Sequence, residues 1–101
     1  MITRIWHGVT SIGNAEKYLN YLLSEGSYAY AKTKGNISIK VWQNKEGGMC
    51  HFWTTSEWTD LEAVKRFAGE NYEKAVYTKE DYGILLEFEE KVIHYETFVV
   101  K

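Results

Sequence analysis

The chain has 101 residues, of which 45% are hydrophobic and 16% aromatic, and its formal net charge is −2 at pH 7. This length predicts a single domain over residues 1–101 with one modest core, and the charge gives no basic surface for nucleic acid. No apolar run reaches the length of a membrane span, and the single cysteine, Cys50, fits a reducing compartment. We therefore expect a cytoplasmic protein with no membrane contact.

The first half of the chain predicts a strand, a helix and a hairpin. The β-branched and aromatic stretch MITRIWHGV is typical of a strand. A helix follows, because Ala15, Tyr18 and Leu22 recur at helical spacing. Asn14 is placed to cap this helix and Gly26 to end it. The turn sequences TKGN and KEGG then flank the alternating strand ISIKVW, and MCHFWTTSEW follows as its antiparallel partner.

The second half predicts one more helix and one more strand. TDLEAVKRFAG indicates a helix that begins with a capping box of Thr59 and Glu62 and ends at Gly69. Residues 70–91 are irregular, with one or two short helical turns, and KVIHYETFVV forms the last strand. The order β-α-β-β-α-β is the ferredoxin-like pattern. It predicts an α+β fold with a four-stranded antiparallel sheet and both helices on one face.

The other face of this sheet lacks the polar character of a solvent-exposed face. In the last strand, Phe98 and Val100 fall on one side while Ile93 and Tyr95 fall on the other. Both faces therefore carry large apolar side chains, and the helices cover only one of them. We expect a second copy of the chain to cover the other face, which predicts a homodimer.

Five stretches carry a resemblance to a known family. They are RIWHG at 4–8, GN at 35–36, SEWTDLEAVKRFAGE at 56–70, AVYTKED at 75–81 and HYE at 94–96. Together they resemble the antibiotic biosynthesis monooxygenase-like domains of the dimeric α+β barrel superfamily, over nearly the whole chain. The resemblance implies a dimeric barrel and a pocket between sheet and helices. It also implies oxidation of electron-rich phenols such as anthrones and quinols, without a metal or flavin, so no cofactor is expected.

Such oxidation requires a base for the phenolic proton, donors for the developing oxyanion and dry aromatic walls. We expect His7 to face the helices together with Ile5 and to act as the base. Tyr77 follows the second helix in a segment that would roof the pocket, where its hydroxyl would orient a phenolate. The alternatives are a hydrogen-bonded structural histidine and an aromatic residue at a pocket rim.

Four further residues are candidates for substrate binding. Phe67 lies on the helix face that should look into the core, and Trp58 immediately precedes the helix cap. Asn36 follows Gly35 in a turn, and Asp81 stands in the segment KED. The alternatives are packing for Trp58, a turn role for Asn36 and a solvated charge for Asp81.

The dimer interface is predicted from the strand face opposite His7. That alternation places Arg4 and Trp6 toward the partner, with Trp6 as a buried anchor and Arg4 as the ion-pair partner of Glu96. His94 and Phe98, on the last strand, complete this predicted interface.

No metal site is expected. The three histidines and Cys50 are the chain's only soft or borderline ligands, and their spacing matches no zinc motif. Cys50 and His51 are adjacent on a strand and therefore point to opposite faces.

The resulting functional prediction is a small-molecule oxygenase-like enzyme that acts on an aromatic or polyketide-like compound. The alternative is a non-catalytic binding module that uses the same pocket, and haem handling is a third hypothesis. Relatives that degrade haem carry a Trp and an iron-ligating His where the resemblance places Phe67 and Tyr77, and an Asn at or next to His7. We therefore expect no haem degradation, although a phenolate is able to ligate ferric haem.

Overall fold

The computed structural model describes residues 1–101, which form one sheet and a set of short helices. The strands are β1 (Ile2–Ser11), β2 (Asn36–Glu46), β3 (Met49–Trp58) and β4 (Ile93–Glu96). The helices are α1 (Ala15–Leu23), α2 (Glu25–Lys32), α3 (Leu61–Ala68) and α4 (Lys79–Ile84), with a 3-10 turn over Ile12–Asn14 before α1. The sheet is antiparallel with the order β2-β3-β1-β4. This topology confirms the predicted ferredoxin-like α+β fold.

The sheet is built around the long central pair of β1 and β3. These strands pair over their full lengths, from Ile2 opposite Trp58 to Ser11 opposite Met49, whereas β4 pairs only with residues 2–5 of β1. Gly47 has a φ of 61° in the two-residue turn between β2 and β3. A hairpin turn of this length needs positive φ at its first central position, and glycine adopts it without steric cost.

The helices α1, α2 and α3 lie on one face of the sheet and bury two apolar clusters against it. The larger cluster joins Trp6 and Phe52 of the sheet to Tyr18 and Leu22 of α1. The smaller one surrounds the fully buried Trp58 and includes residues 63 and 64 of α3. The apolar faces of α1 and α3 thus follow the 3.6-residue spacing of their sequences, whereas α2 has no fully buried residue.

Three predicted element boundaries are wrong. Gly26 lies inside α2, because the break occurs at Ser24, whose φ of −120° and ψ of −93° interrupt the helix. The cap of α3 is Asp60, whose carboxylate accepts a hydrogen bond from the Ala63 amide at 2.9 Å, instead of the Thr59–Glu62 box. The last strand covers four residues only, since the chain stops pairing with β1 after Glu96.

The predicted sidedness of β1 is also wrong. The register places Trp6 opposite Thr54 and Gly8 opposite Phe52 on the face that the helices cover. Ile5 and His7 therefore lie on the open face. The prediction treated Ile5 as the core residue, but the indole of Trp6 has more apolar area to bury and packs against Tyr18 at 6.4 Å between ring centroids.

The open face of the sheet carries a stripe of large side chains. Its apolar members are Ile5, Trp42, Trp53, Ile93 and Tyr95, by register. Next to them His7 stacks on His51, and the two rings share a hydrogen bond of 2.9 Å between Nε2 and Nδ1.

None of the helices combines the length and apolar character that crossing a membrane requires.

Candidate functional site

A cavity of about 120 Å³ lies between the covered face of the sheet and the helices. Five aromatic residues from the sheet and three helices line it: Trp6, Tyr18, Tyr21, Tyr30 and Phe67. The lining also includes two charged side chains that are almost completely buried, Arg4 at 2% and Asp81 at 6% exposure. Apolar walls with a few buried polar groups are the usual composition of a small-molecule site.

Arg4 enters the covered face from β1, where its guanidinium meets only neutral groups. Nη1 donates to the backbone carbonyl of Tyr72, and Nη2 lies 3.5 Å from the carbonyl of Lys74. The guanidinium carbon lies 5.5 Å from the centroid of the Phe67 ring. Burial lowers the pKa of Arg4, but a guanidinium stays protonated in a protein, so the positive charge remains.

Two further polar groups adjoin Arg4, the hydroxyl of Tyr30 and the imidazole of His94. Nε2 of His94 lies 3.1 Å from Nη1 of Arg4, and because a guanidinium has only donors, this ring nitrogen accepts. Burial, and secondly the charge of Arg4, lower the pKa of His94. His94 is therefore neutral at pH 7 and supplies no counter-charge.

Asp81 projects from α4, and both of its oxygens accept hydrogen bonds. Oδ1 accepts from the Tyr18 hydroxyl at 2.7 Å, and Oδ2 accepts from the Thr78 amide at 2.7 Å and its hydroxyl at 3.1 Å. The Thr78 contacts belong to the capping box that begins α4. Burial, and secondly the bond to Asp81, raise the pKa of Tyr18 far above its usual value. Tyr18 is thus a permanent donor beside the cavity's one buried carboxylate.

Trp6 forms a wall of the cavity, and a hydrogen bond to Tyr77 holds its indole in place. Its Nε1 donates to the Tyr77 hydroxyl at 3.4 Å, and that hydroxyl donates to the Glu89 carbonyl at 2.6 Å. On the sheet, Gly8 leaves room for the indole, since a Cβ there would lie 2.3 Å from Cη2 of Trp6. In the motif RIWHG, the glycine two residues after the tryptophan therefore leaves the space that the indole needs on the covered face.

The two predicted catalytic residues do not share this cavity. His7 lies on the open face, where its Nδ1 contacts the carboxylate of Glu89 and its ring packs 5.0 Å from Trp53. Tyr77 lies behind Trp6 and does not line the cavity. The prediction that these residues line one pocket is wrong, because the sheet separates His7 from it.

The four predicted substrate-binding residues divide evenly. Phe67 and Asp81 line the cavity. Trp58 is fully buried beside Phe67, at 5.5 Å between ring centroids, and its indole N–H donates to Ser56. Asn36 lies at the start of β2, where its amide donates to the carbonyls of residues 38 and 57. Trp58 and Asn36 therefore support the fold instead of lining the site.

Of the residues predicted for the interface, Arg4, Trp6 and His94 lie on the covered side. Arg4 and Trp6 are buried beneath the helices, and the ion pair predicted between Arg4 and Glu96 does not form. His94 shares the covered face with Arg4 through the β1–β4 register. Phe98 follows β4 and is 78% exposed. The helices already occupy the face that the prediction assigned to a partner.

A second, larger depression of about 610 Å³ lies outside the core. It is lined by Glu70, Asn71, Tyr72, Glu73, Lys74, Glu90 and Lys91. Six of these seven side chains are exposed, so the depression is an open polar groove without the buried walls of a ligand site. No group of three or more His, Cys, Asp or Glu side chains is arranged to hold a metal ion.

The three tyrosines that line the cavity, Tyr18, Tyr21 and Tyr30, were not predicted as site residues from the sequence. The helical spacing of Tyr18 predicted burial, but a buried hydroxyl also needs a partner, and that requirement pointed to a polar group in the core. Tyr30 lies in α2, which was not predicted as a helix. Its ring stacks on Phe67 at 4.2 Å between centroids.

The comparisons with known proteins concern the fold. No protein-family model matches the chain, and no curated protein matches it in sequence. A Bacillus cereus crystal structure assigned as an antibiotic biosynthesis monooxygenase superposes with a TM-score of 0.69 at 16% identity, over 100% of this chain and 96% of the other. The crystal structure of the Pseudomonas aeruginosa protein PA3566 superposes with a TM-score of 0.64 at 14% identity, over 97% and 94% of the two chains. This chain therefore has the fold of an antibiotic biosynthesis monooxygenase-like domain.

Proposed function

We propose that this protein is a small-molecule oxygenase-like enzyme that acts on an aromatic or polyketide-like compound in the cavity between sheet and helices. The observation that carries the proposal is the lining of this cavity, in which five aromatic rings surround a buried carboxylate. Cofactor-independent oxidation of a phenol needs this combination of a base and a dry aromatic environment. The shared fold with an assigned antibiotic biosynthesis monooxygenase supports the same reaction class.

The proposed reaction is balanced by the substrate and dioxygen alone. A base removes the phenolic proton, and a ring carbon of the resulting anion, which still bears a hydrogen, donates electrons to dioxygen and forms a C–O bond. The peroxide takes up a proton, and its O–O bond and the C–H bond then break. One oxygen remains as a new carbonyl and the other leaves as water, so the carbon is oxidised and dioxygen is reduced.

Asp81 is the candidate base in place of His7. It is the only carboxylate among the buried residues, and it lines the cavity. The neighbouring hydroxyl of Tyr18 donates its one proton to Asp81, so it is able to donate to an oxyanion only after its bond to Asp81 is broken. We assign Tyr77 a positioning role, because its hydroxyl holds the indole of Trp6 without reaching the cavity.

A non-catalytic binding module is the second candidate, and two observations favour it. Three hydrogen bonds already occupy the oxygens of Asp81, so most of the acceptor positions of this carboxylate serve the fold and only one, on Oδ1, is left for a proton. The cavity of about 120 Å³ is also smaller than the roughly 300–1,000 Å³ of typical small-molecule sites, so a compound of several rings would bind only in part and would not be enclosed from water as the oxidation requires. Haem handling has no comparable support, because a porphyrin is far larger than this cavity.

Thermal-shift and oxygen-electrode measurements distinguish the two candidates. The probes are 1-naphthol and anthrone, which each offer a ring carbon that can become a carbonyl. An enzyme consumes oxygen above the uncatalysed rate and releases the quinone. A binding module raises the melting temperature with either probe but leaves the rate of oxygen uptake at the blank value.

We also propose that the protein is a cytoplasmic homodimer. The open face supports a partner, because Trp42, Ile93 and Tyr95 are each about half exposed and adjoin Ile5 and Trp53. A second copy packed on this face would bury about 1,200–2,000 Å² in total if the interface is of standard size. The unpaired thiol of Cys50 fits a reducing compartment.

A further inference from the structure

The buried guanidinium of Arg4 has no counter-charge in the free protein. Ion pairs join His7 to Glu89 and Lys65 to Glu62, and neither involves Arg4. The contacts of Arg4 are backbone carbonyls, a neutral imidazole, the hydroxyl of Tyr30 and an aromatic ring. A charge that is almost completely buried is normally paired, because removing it from water is costly.

One donor of this guanidinium is also unused. Nε of Arg4 is buried and has no hydrogen-bond partner. Buried donors are satisfied in the great majority of cases, and one that is not requires an explanation such as a missing ligand. Arg4 combines this free donor with an unpaired charge, and both belong to a residue that lines the cavity.

Two carboxylates line the same cavity, Glu25 and Asp81, and neither forms an ion pair with Arg4; Glu25 is exposed. Asp81 uses its oxygens for other hydrogen bonds. Burial and the charge of Arg4 both keep His94 in its neutral form. An anion that enters the cavity is therefore the one partner that would neutralise this charge without rearranging the core.

We propose that the cavity takes an aromatic ligand that carries an anionic oxygen, a carboxylate or a phenolate, and that Arg4 binds this oxygen. The inference rests on the proposed function only in using the same cavity, and it names the charge class of the ligand. The volume of about 120 Å³ limits the buried part of the ligand to about one ring, between walls that include Trp6 and Phe67. A phenolate held in this way would be the ionised form on which the proposed oxidation depends.

Two matched pairs of ligands test whether the cavity prefers an anion and whether that anion is a carboxylate or a phenolate. Benzoate and benzamide share a ring and differ in charge, as do 4-nitrophenolate and 4-nitroanisole. Binding is measured by titration calorimetry without a turnover assay. We expect at least one anion to bind about 10- to 100-fold more tightly than its neutral partner, the usual effect of a hydrogen bond to a charged group. The pair that shows this preference identifies a carboxylate or a phenolate as the preferred group.

Two substitutions link the preference to Arg4. Arg4→Met keeps an unbranched side chain without charge, and Arg66→Met makes the same change on an exposed arginine of α3. We expect Arg4→Met to remove the preference for the anion and Arg66→Met to retain it. If Arg4→Met does not fold, Arg4→Lys is the substitute. It should keep the preference for the anion and bind it about tenfold more weakly, because the planar fork of donors is lost.

The inference is overturned by equal binding of the charged and neutral probes, by an unchanged anion preference in Arg4→Met, or by binding of none of the four probes. For Arg4→Lys, an affinity for the anion equal to that of the unmodified protein has the same meaning. The proposed function fails separately, when an anion binds as expected but no substrate consumes oxygen. Oxygen uptake that is identical in Arg4→Met and the unmodified protein would overturn the inference and leave the function standing.

Discussion

The indole of Trp6 occupies the space beside Gly8 where any other residue would place its Cβ, since that atom would lie 2.3 Å from Cη2 and 2.5 Å from Cζ2 of the ring. The Leu85 side chain limits the same space at 3.2 Å. Residue 8 thus sets the position of the aromatic wall of the cavity.

Gly8→Ala should therefore destabilise the protein. Forcing a methyl group into a packed core typically costs about 1–3 kcal/mol. We expect a decrease of this size in the free energy of unfolding by urea, together with a changed tryptophan emission spectrum. Gly13→Ala is the control, because a Cβ at Gly13 meets nothing within 4 Å. Equal stability of the two variants would show that the indole does not depend on Gly8.

Asp81 should contribute to stability through the bonds that it accepts. Asp81→Ala leaves the Tyr18 hydroxyl and the Thr78 amide without an acceptor, and we expect the free energy of unfolding to fall by about 1–3 kcal/mol. Asp81→Asn keeps one acceptor oxygen and should lose less. The control is Glu80→Ala, an exposed carboxylate in the same turn of α4, with an expected change within about 0.5 kcal/mol. A loss as large in Glu80→Ala would mean that helix capping charge, and not the buried contacts, accounts for the effect.

His94 should make stability depend on pH. Its pKa is lowered in the folded state by burial and, secondly, by Arg4. Below the unfolded pKa of about 6.5 the unfolded chain binds a proton that the folded chain refuses, so stability falls as the pH decreases toward the folded pKa. His94→Gln removes this contribution. Melting temperatures between about pH 7.5 and about pH 5 should fall less steeply in His94→Gln than in the unmodified protein. Parallel curves would contradict the assignment.

The open face should be the surface that pairs with a second copy. Ile93→Glu places a charge within its apolar stripe, on the edge strand β4, where burial against a partner would be costly. We expect sedimentation velocity at micromolar concentration to show a dimer for the unmodified protein and a monomer for Ile93→Glu. Tyr28→Glu, at an exposed position on α2, is the control and should stay dimeric. A monomer for the unmodified protein would rule out the homodimer.

The sequence predicted the fold better than it predicted the site. Turn glycines and two apolar periodicities defined the order of strands and helices. The sidedness of β1 could not be obtained in the same way, because Ile5 and Trp6 are both apolar and alternation alone does not decide which of them the helices cover. Because the two faces of β1 were assigned the wrong way round, the prediction placed His7 in the cavity, whereas the structure places Arg4 there. Gly26 caused the second error, since α2 tolerates a glycine while Tyr30 packs on Phe67 and Trp58.

The central claim, that the cavity between sheet and helices is the reaction site, is tested most directly by filling it. Ala29 and Ala31 are both exposed alanines of α2, but only Ala29 lines the cavity. The measurement is oxygen uptake with 1-naphthol by Ala29→Trp and Ala31→Trp, after subtraction of the uncatalysed rate. We predict that Ala31→Trp retains the unmodified rate and that Ala29→Trp loses about tenfold or more in kcat/KM. An Ala29→Trp variant as active as Ala31→Trp would contradict the claim.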